Sequence, residues 1–283
     1  MTIRPPDPRT AAAWPFFTRL GDQPVALAHQ GGAFDPDNVG IPNTLAAFRH
    51  AVRDLGISHI ETDVRATADG VAVIIHNETL DGLTDGFGPV VECTLADLEK
   101  LRVDAREPIP TLAQALAEFP DTFFNVDLKV DEVVEPALAA IAEAGAERRV
   151  CIASFSERRI RRAVRRSQKR IACSHSRIGI LLVVLSPSWR WLRPLVRALA
   201  GPGAALQVPE MHGPFRVVSA RSLRRAHALG KHVHVWTIDE ETDMRRLMTL
   251  GVDGLVTDRP DVSVRVVGGG PQARGLDAPG PGG

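Results

Sequence analysis

The 283 residues are 44% hydrophobic and 24% charged, which suits one large domain that buries a sizeable core. Thirty-four Lys plus Arg balance 34 Asp plus Glu, so no overall field favours nucleic acid or an acidic membrane, while a local anion site is still allowed. Cys93, Cys151 and Cys173 are odd in number and unpaired in spacing, which argues against a disulfide framework or a zinc site and points to a reducing, cytoplasmic setting.

Residues 1–22 are Pro-rich and broken, without the apolar run of a signal peptide, and read as an N-terminal extension. From there to residue 264, β-branched runs alternate with helical patterns. The strand candidates are VALAHQ from Val25, HIETDV from His59, FFNVDLKV from Phe123, RVCIASF from Arg149, IACSHS from Ile171, AALQVP from Ala204, HVHVWTI from His232 and GLVTDRP from Gly254. Amphipathic helices fall between most of them, beginning at Thr44, Val134, Ser222 and Glu241, and several end in a glycine: Gly56, Gly145, Gly230, Gly251. Eight strand-helix units in this length predict a (β/α)8 TIM barrel; a doubly wound sheet fits the alternation too, but Gly31-Gly32 lacks the spacing of its phosphate-binding fingerprint. A second strand-like run, VAVIIHN from Val71, predicts a small insertion after strand two, at about residues 68–92. Residues 265–283, rich in Gly and Pro from Gly268 with almost nothing to bury, predict a disordered C-terminal tail.

Side chains alternate along a strand, so Glu61 and Asp63 share a face, as do Asn125, Asp127 and Lys129. At the C-terminal ends of barrel strands that face is the active-site mouth. Oxygen ligands of this kind suit Mg2+, Ca2+ or Mn2+ better than zinc. His29 closes the first strand and His76 the excursion strand, where both imidazoles can bracket a cation. Any one of these groups alone is as often an ion pair, a cap or a hydrogen-bonded core histidine; their convergence on one end of the barrel favours a catalytic site.

The ordered series His29-Gln-Gly-Gly, Asn43-Thr-Leu-Ala-Ala-Phe48, Glu61-Thr-Asp63, Thr67-Ala-Asp-Gly70, His76-Asn-Glu-Thr-Leu80, Asn125-Val-Asp-Leu-Lys129 and Thr257-Asp258 resembles the glycerophosphodiester phosphodiesterase family. The likeness extends over residues 25 to 262. It implies metal-dependent cleavage of a small-molecule glycerophosphodiester to glycerol 3-phosphate and an alcohol. It also implies His29 and His76 as the acid/base pair, Glu61, Asp63 and Asp127 as metal ligands, and Lys129 against phosphate. Gln30 and Trp236 are further substrate-contact candidates, with a core tryptophan an equally simple reading of Trp236.

Three departures stand out. Gln30 replaces an arginine and brings no charge or bidentate fork. Pro42 stands where the family has Glu before Asn-Thr, with the preceding loop offering Asp35 or Asp37 as compensation. Asn77 replaces an Asp after the second histidine. They motivate two alternatives: a weakened barrel that binds a phosphorylated ligand, and a diesterase for lysophospholipids. The segment from Ile178 to Ala200 interleaves apolar residues and Trp with Arg190, Arg193 and Arg197. A barrel-covering helix with a solvated basic face is the stronger expectation for it, and a membrane-surface helix the weaker.

Overall fold

The computed structural model describes residues 7–18, 21, 23–186 and 190–267. Eight parallel strands follow one another in space as in sequence: β1 Val25–His29, β2 His59–Ala66, β3 Phe123–Leu128, β4 Val150–Ala153, β5 Ala172–Cys173, β6 Ala205–Pro209, β7 His232–Trp236 and β8 Gly254–Thr257. β1 pairs with both β2 and β8. The β5/β6 seam closes by one parallel bridge, Ser174 to Ala205, with His175 N–H donating to the Ala205 carbonyl at 2.8 Å. The predicted (β/α)8 barrel is therefore present, and Gly56, Gly145, Gly230 and Gly251 all take positive φ at helix ends, where a side chain would strain the backbone.

Inward-facing residues of one parity fill the barrel. Val25, Leu27, Phe123, Cys151, Ala172, Ala205 and Val256 form a single buried cluster with Ala11, Trp14, Phe16 and Phe17 from the N-terminal segment. Residues expected as an extension thus close the barrel floor. Ala11 N–H reaches the Gly230 carbonyl at 2.9 Å, and the buried Lys231 ammonium donates to the carbonyls of Arg9 and Gly203. Phe16 accepts through its carbonyl from His59 Nε2 at 2.9 Å and sets its ring edge-on to the His59 ring.

Other expectations need correction. The excursion after β2 runs well past residue 92: the strand Ala72–Ile74 lies antiparallel on β2, and the loop continues through the helix Leu95–Leu98 and the two-stranded ribbon Arg102–Val103 with Glu107–Pro108. Val73, Ile75, Leu80, Val90, Leu98, Val103 and Ile109 give it a small core of its own. Strands of two residues carry too little periodicity to be read from sequence. The pattern from Thr44 forms an α-helix, Leu45–Arg49, that widens into a π turn, His50–Asp54. The segment after β5 makes two helices, Arg177–Val184 and Arg193–Ala200, and its outer face is apolar: Ile178, Leu181, Leu185, Leu195 and Leu199 are exposed, while Arg197 turns in to the Leu229 carbonyl at 3.1 Å. Trp189 lies outside the described residues. The helix Pro260–Val267 takes ordered chain three residues into the stretch expected as tail, and residues 268–283 lie outside the described ones.

The floor carries a pH liability. Burial holds the His59 imidazole down to about 4 and that of His234 to about 3, and both His234 ring nitrogens are buried without a hydrogen-bond partner. Between those values and the usual 6.5 the unfolded chain binds protons that the folded chain refuses. The corresponding stability is complete above about pH 6.5 and is lost as the pH falls towards 4. Urea titrations at pH 7.5 and 5 should show this loss, and His234→Leu should reduce it; an unchanged pH slope in that variant would contradict the assignment. Phe16→Ala should cost about 3–5 kcal/mol in the pH 7.5 titration.

Candidate active site

Parallel register sets the site. β2 and β3 pair Glu61 with Asn125 and Asp63 with Asp127, and β1 places His29 beside Glu61. With one parity facing inward, these side chains stack in adjacent rows at the C-terminal end of the barrel. His29, Glu61, Asp63, His76, Asp127, Lys129 and Trp236 all line one cavity of about 320 Å³, with Asn125, Ser154, Phe155, His175 and Gln207.

The charges are unevenly satisfied. Asp63 is saturated: Oδ1 takes the Lys129 ammonium at 2.7 Å, and Oδ2 accepts from Gln30 Nε2 at 2.9 Å and Asn43 Nδ2 at 3.1 Å. Lys129 also reaches Asp127 Oδ2 at 2.8 Å. Burial alone would raise the Asp63 carboxyl, but Lys129 and Asn43 hold it below its ordinary value, and the same carboxylates raise the Lys129 ammonium above its own despite burial. Glu61 is the reverse case. Its Oε2 is buried with no hydrogen-bond partner, and burial, with Asp63 adding to it, pushes the carboxyl up to about 8. A buried carboxyl whose unbonded oxygen has the His29 imidazole 3.7 Å away, beside two further carboxylates and one lysine, is a donor set short of positive charge. Glu61, Asp63 and Asp127 thus offer the oxygen donors that a hard divalent cation takes, though one ligand atom from each does not come within 4.8 Å of the others.

The two histidines are held differently. His29 gives Nδ1 to Asp258 Oδ1 at 2.7 Å, and its Nε2 faces the cavity 3.7 Å from Glu61 Oε2. Burial would lower this imidazole, but the hydrogen bond to Asp258 and the charge of Glu61 lift it to about 9. His76 is exposed at the end of the excursion strand. Its backbone is fixed from β2: Ile75 N–H donates to the Asp63 carbonyl at 3.0 Å, and Arg65 Nε to the His76 carbonyl at 3.1 Å. Trp236 stands at the rim, edge-on to Phe155 with ring centroids 6.2 Å apart.

Gln30 is not among the residues that line the cavity; its amide donates to Asp63 Oδ2 and so holds a carboxylate. Asp35 and Asp37 do not replace the missing glutamate at position 42, since their carboxylates face His50 instead. Two supporting residues had no role in the sequence reading. Asn43, at φ 60°, ties Asp63 to the Thr62 hydroxyl, and its place in the Asn-Thr motif was the available signal. Asp258 lies 229 positions from His29, and only its place in the Thr-Asp pair marked it.

Residues 31–262 match the model of the glycerophosphoryl diester phosphodiesterase family. The chain is 38% identical over 255 residues to a probable glycerophosphodiester phosphodiesterase 2 of Mycobacterium tuberculosis, covering 87% of this chain and 91% of that one. It is 32% identical to a glycerophosphodiester phosphodiesterase of Caldanaerobacter subterraneus, covering 86% and 97%. The barrel superposes on a putative glycerophosphoryl diester phosphodiesterase of Silicibacter pomeroyi with a TM-score of 0.69 at 24% identity, over 87% of this chain and 93% of that one. It superposes also on an Oleispira antarctica phosphodiesterase solved with sn-glycerol-3-phosphate, with a TM-score of 0.67 at 24% identity, over 86% and 96%. The chain therefore belongs to the glycerophosphoryl diester phosphodiesterase family of phosphoric diester hydrolases.

Proposed function

We propose that this cavity hydrolyses glycerophosphodiesters to glycerol 3-phosphate and an alcohol, with a divalent cation, Mg2+ or Ca2+ and in third place Mn2+, held by Glu61, Asp63 and Asp127. The observation that carries the reading is the pairing of an orphaned Glu61 oxygen with a His29 Nε2 that Asp258 directs into the same cavity. The Oleispira enzyme's bound glycerol phosphate supports the substrate class.

Glu61, Asp63 and Asp127 would hold the cation, which would supply positive charge for the phosphoryl oxygens. Lys129, which lines the same cavity, directs its ammonium to the phosphate, where negative charge grows towards the transition state. Asp258 and Glu61 favour the charged imidazole of His29, which suits it to donate a proton to the leaving alkoxide. His76, exposed at the mouth with its Nδ1 3.2 Å from Asn77 Oδ1, accepts the proton of the nucleophile, water or a neighbouring glycerol hydroxyl. Trp236 and Phe155 form an apolar wall for the glycerol carbons. The three cysteines are free thiols, in keeping with a cytoplasmic enzyme.

A lysophospholipid is the second reading. Ile180 lines the cavity from the helix Arg177–Val184, and the same helix exposes Ile178 and Leu181, an apolar surface on which an acyl chain can lie. Among the described residues no helix is long and apolar enough to cross a membrane.

Release of glycerol 3-phosphate from glycerophosphocholine by the purified chain should require added cation and be lost on chelation. His29→Ala should lower kcat by roughly 10²–10⁴-fold. Asp258→Asn should lower kcat with little change in KM, because it acts through the orientation of His29. Turnover that survives both chelation and His29→Ala would overturn the proposal. Faster turnover of lysophosphatidylcholine than of glycerophosphocholine, abolished by Leu181→Glu, would favour the second reading.

A further inference from the structure

A second group of ionisable residues lies outside the cavity, on the loop after β1 and the π turn that follows. Asp35 and Asp37 come from the loop and His50 opens the turn. One ligand atom from each lies within 4.8 Å of the others, the only such cluster of His, Cys, Asp or Glu among the described residues. His50 Nε2 is 3.2 Å from Asp35 Oδ1 and 3.7 Å from Asp37 Oδ2. With metal–ligand bonds of about 2.0–2.2 Å, neighbouring ligands of a tetrahedral site lie roughly 3.3–3.6 Å apart, and the two separations bracket that range.

The hydrogen bonding sharpens the case. His50 Nδ1 lies 3.0 Å from Asp54 Oδ2, so a neutral ring carries its proton there and turns the Nε2 lone pair towards two carboxylates. Lone pair and carboxylate oxygens repel unless a proton or a cation lies between them. A proton on Nε2 does not complete the site, because Asp35 is only 1% exposed and its Oδ2 is buried with no hydrogen-bond partner. Asp35 Oδ1 also accepts the Asp37 N–H at 3.1 Å, so a cation held by both oxygens of this carboxylate would meet both needs, with Asp54 behind His50 in the carboxylate–histidine–metal arrangement that orients a ligating imidazole. Asp37, 77% exposed at its side chain, leaves an entry path from solvent.

We propose that Asp35, Asp37 and His50 Nε2 form a second divalent-cation site, separate from the catalytic carboxylates. Its imidazole selects a transition ion of the Zn2+ class over Mg2+ or Ca2+. The bound ion braces the loop after β1. That loop is tied to the catalytic end, since Phe34 N–H donates to the carbonyl of Asp258 at 3.0 Å, the residue that orients His29.

The test is calorimetric titration of the untagged full chain with Zn2+, alongside a Glu61→Gln/Asp63→Asn variant that lacks the catalytic ligands. That variant should keep one zinc and gain thermal stability from it. Adding His50→Gln or the exposed Asp37→Asn should weaken this zinc at least tenfold and remove the gain, and Asp54→Asn should weaken it about tenfold. In the otherwise wild-type chain, His50→Gln with Asp37→Asn should lower the zinc stoichiometry by one, so the outcome does not depend on the catalytic variant folding. Zinc uptake that disappears with Glu61 and Asp63, or that keeps its Kd after both loop substitutions, would overturn the proposal and leave His50 as an imidazolium held by carboxylates.

Discussion

Everything at the catalytic end depends on how a row of carboxylates is neutralised. Strand pairing brings Glu61, Asp63 and Asp127 together, and carboxyl groups so close, two of them buried, are tolerated only with compensating partners. Asp63 receives nearly all of the compensation available, from Lys129, Gln30 and Asn43. The loop after β1 is shaped to deliver it: Gln30 and Asn43 both take positive φ, and Asn43 N–H closes onto the Gln30 carbonyl at 2.8 Å. Glu61 is left with an oxygen that nothing satisfies. The site is thus assembled with one carboxylate held in excess, which is a reason to bind a cation as well as a consequence of the fold.

The two ends of the barrel divide the work. The floor is sealed by Phe16 and Phe17 over His59, Phe123 and His234, rings that touch nothing catalytic and whose histidines are kept neutral by burial. At the mouth, Asp63, Lys129 and His29 are held in their charged forms by the partners they face. Stability is concentrated at the N-terminal face and chemistry at the C-terminal face, the usual partition in this architecture.

Strand parity made the core of the site legible in the sequence. A period of two places Glu61 with Asp63 and Asn125 with Asp127 and Lys129 before any coordinates are known, and glycines after helical runs mark where units end. What parity does not reach is contact between distant segments. Asp258 meets His29 only because β8 closes against β1, and Asp35 meets His50 only because a loop folds back on a π turn. Gln30 read as a substrate contact without the charge and fork of an arginine, and its amide also holds Asp63; a residue type alone does not say which neighbour it will satisfy. The floor segment was missed because Phe16-Phe17 after Pro15 is too short to show a period, and the outer face after β5 was misjudged because Arg197 turns inward while leucines are left outside.

The most direct test of the charge-balance account is a crystal structure of the chain with Ca2+ and glycerol 3-phosphate. The expected result is a cation bonded to Glu61 Oε2 together with Asp63 and Asp127, and a Lys129 ammonium that has left those carboxylates for the phosphate. A Lys129 that keeps both carboxylates while phosphate binds elsewhere, with no cation at Glu61, would contradict it.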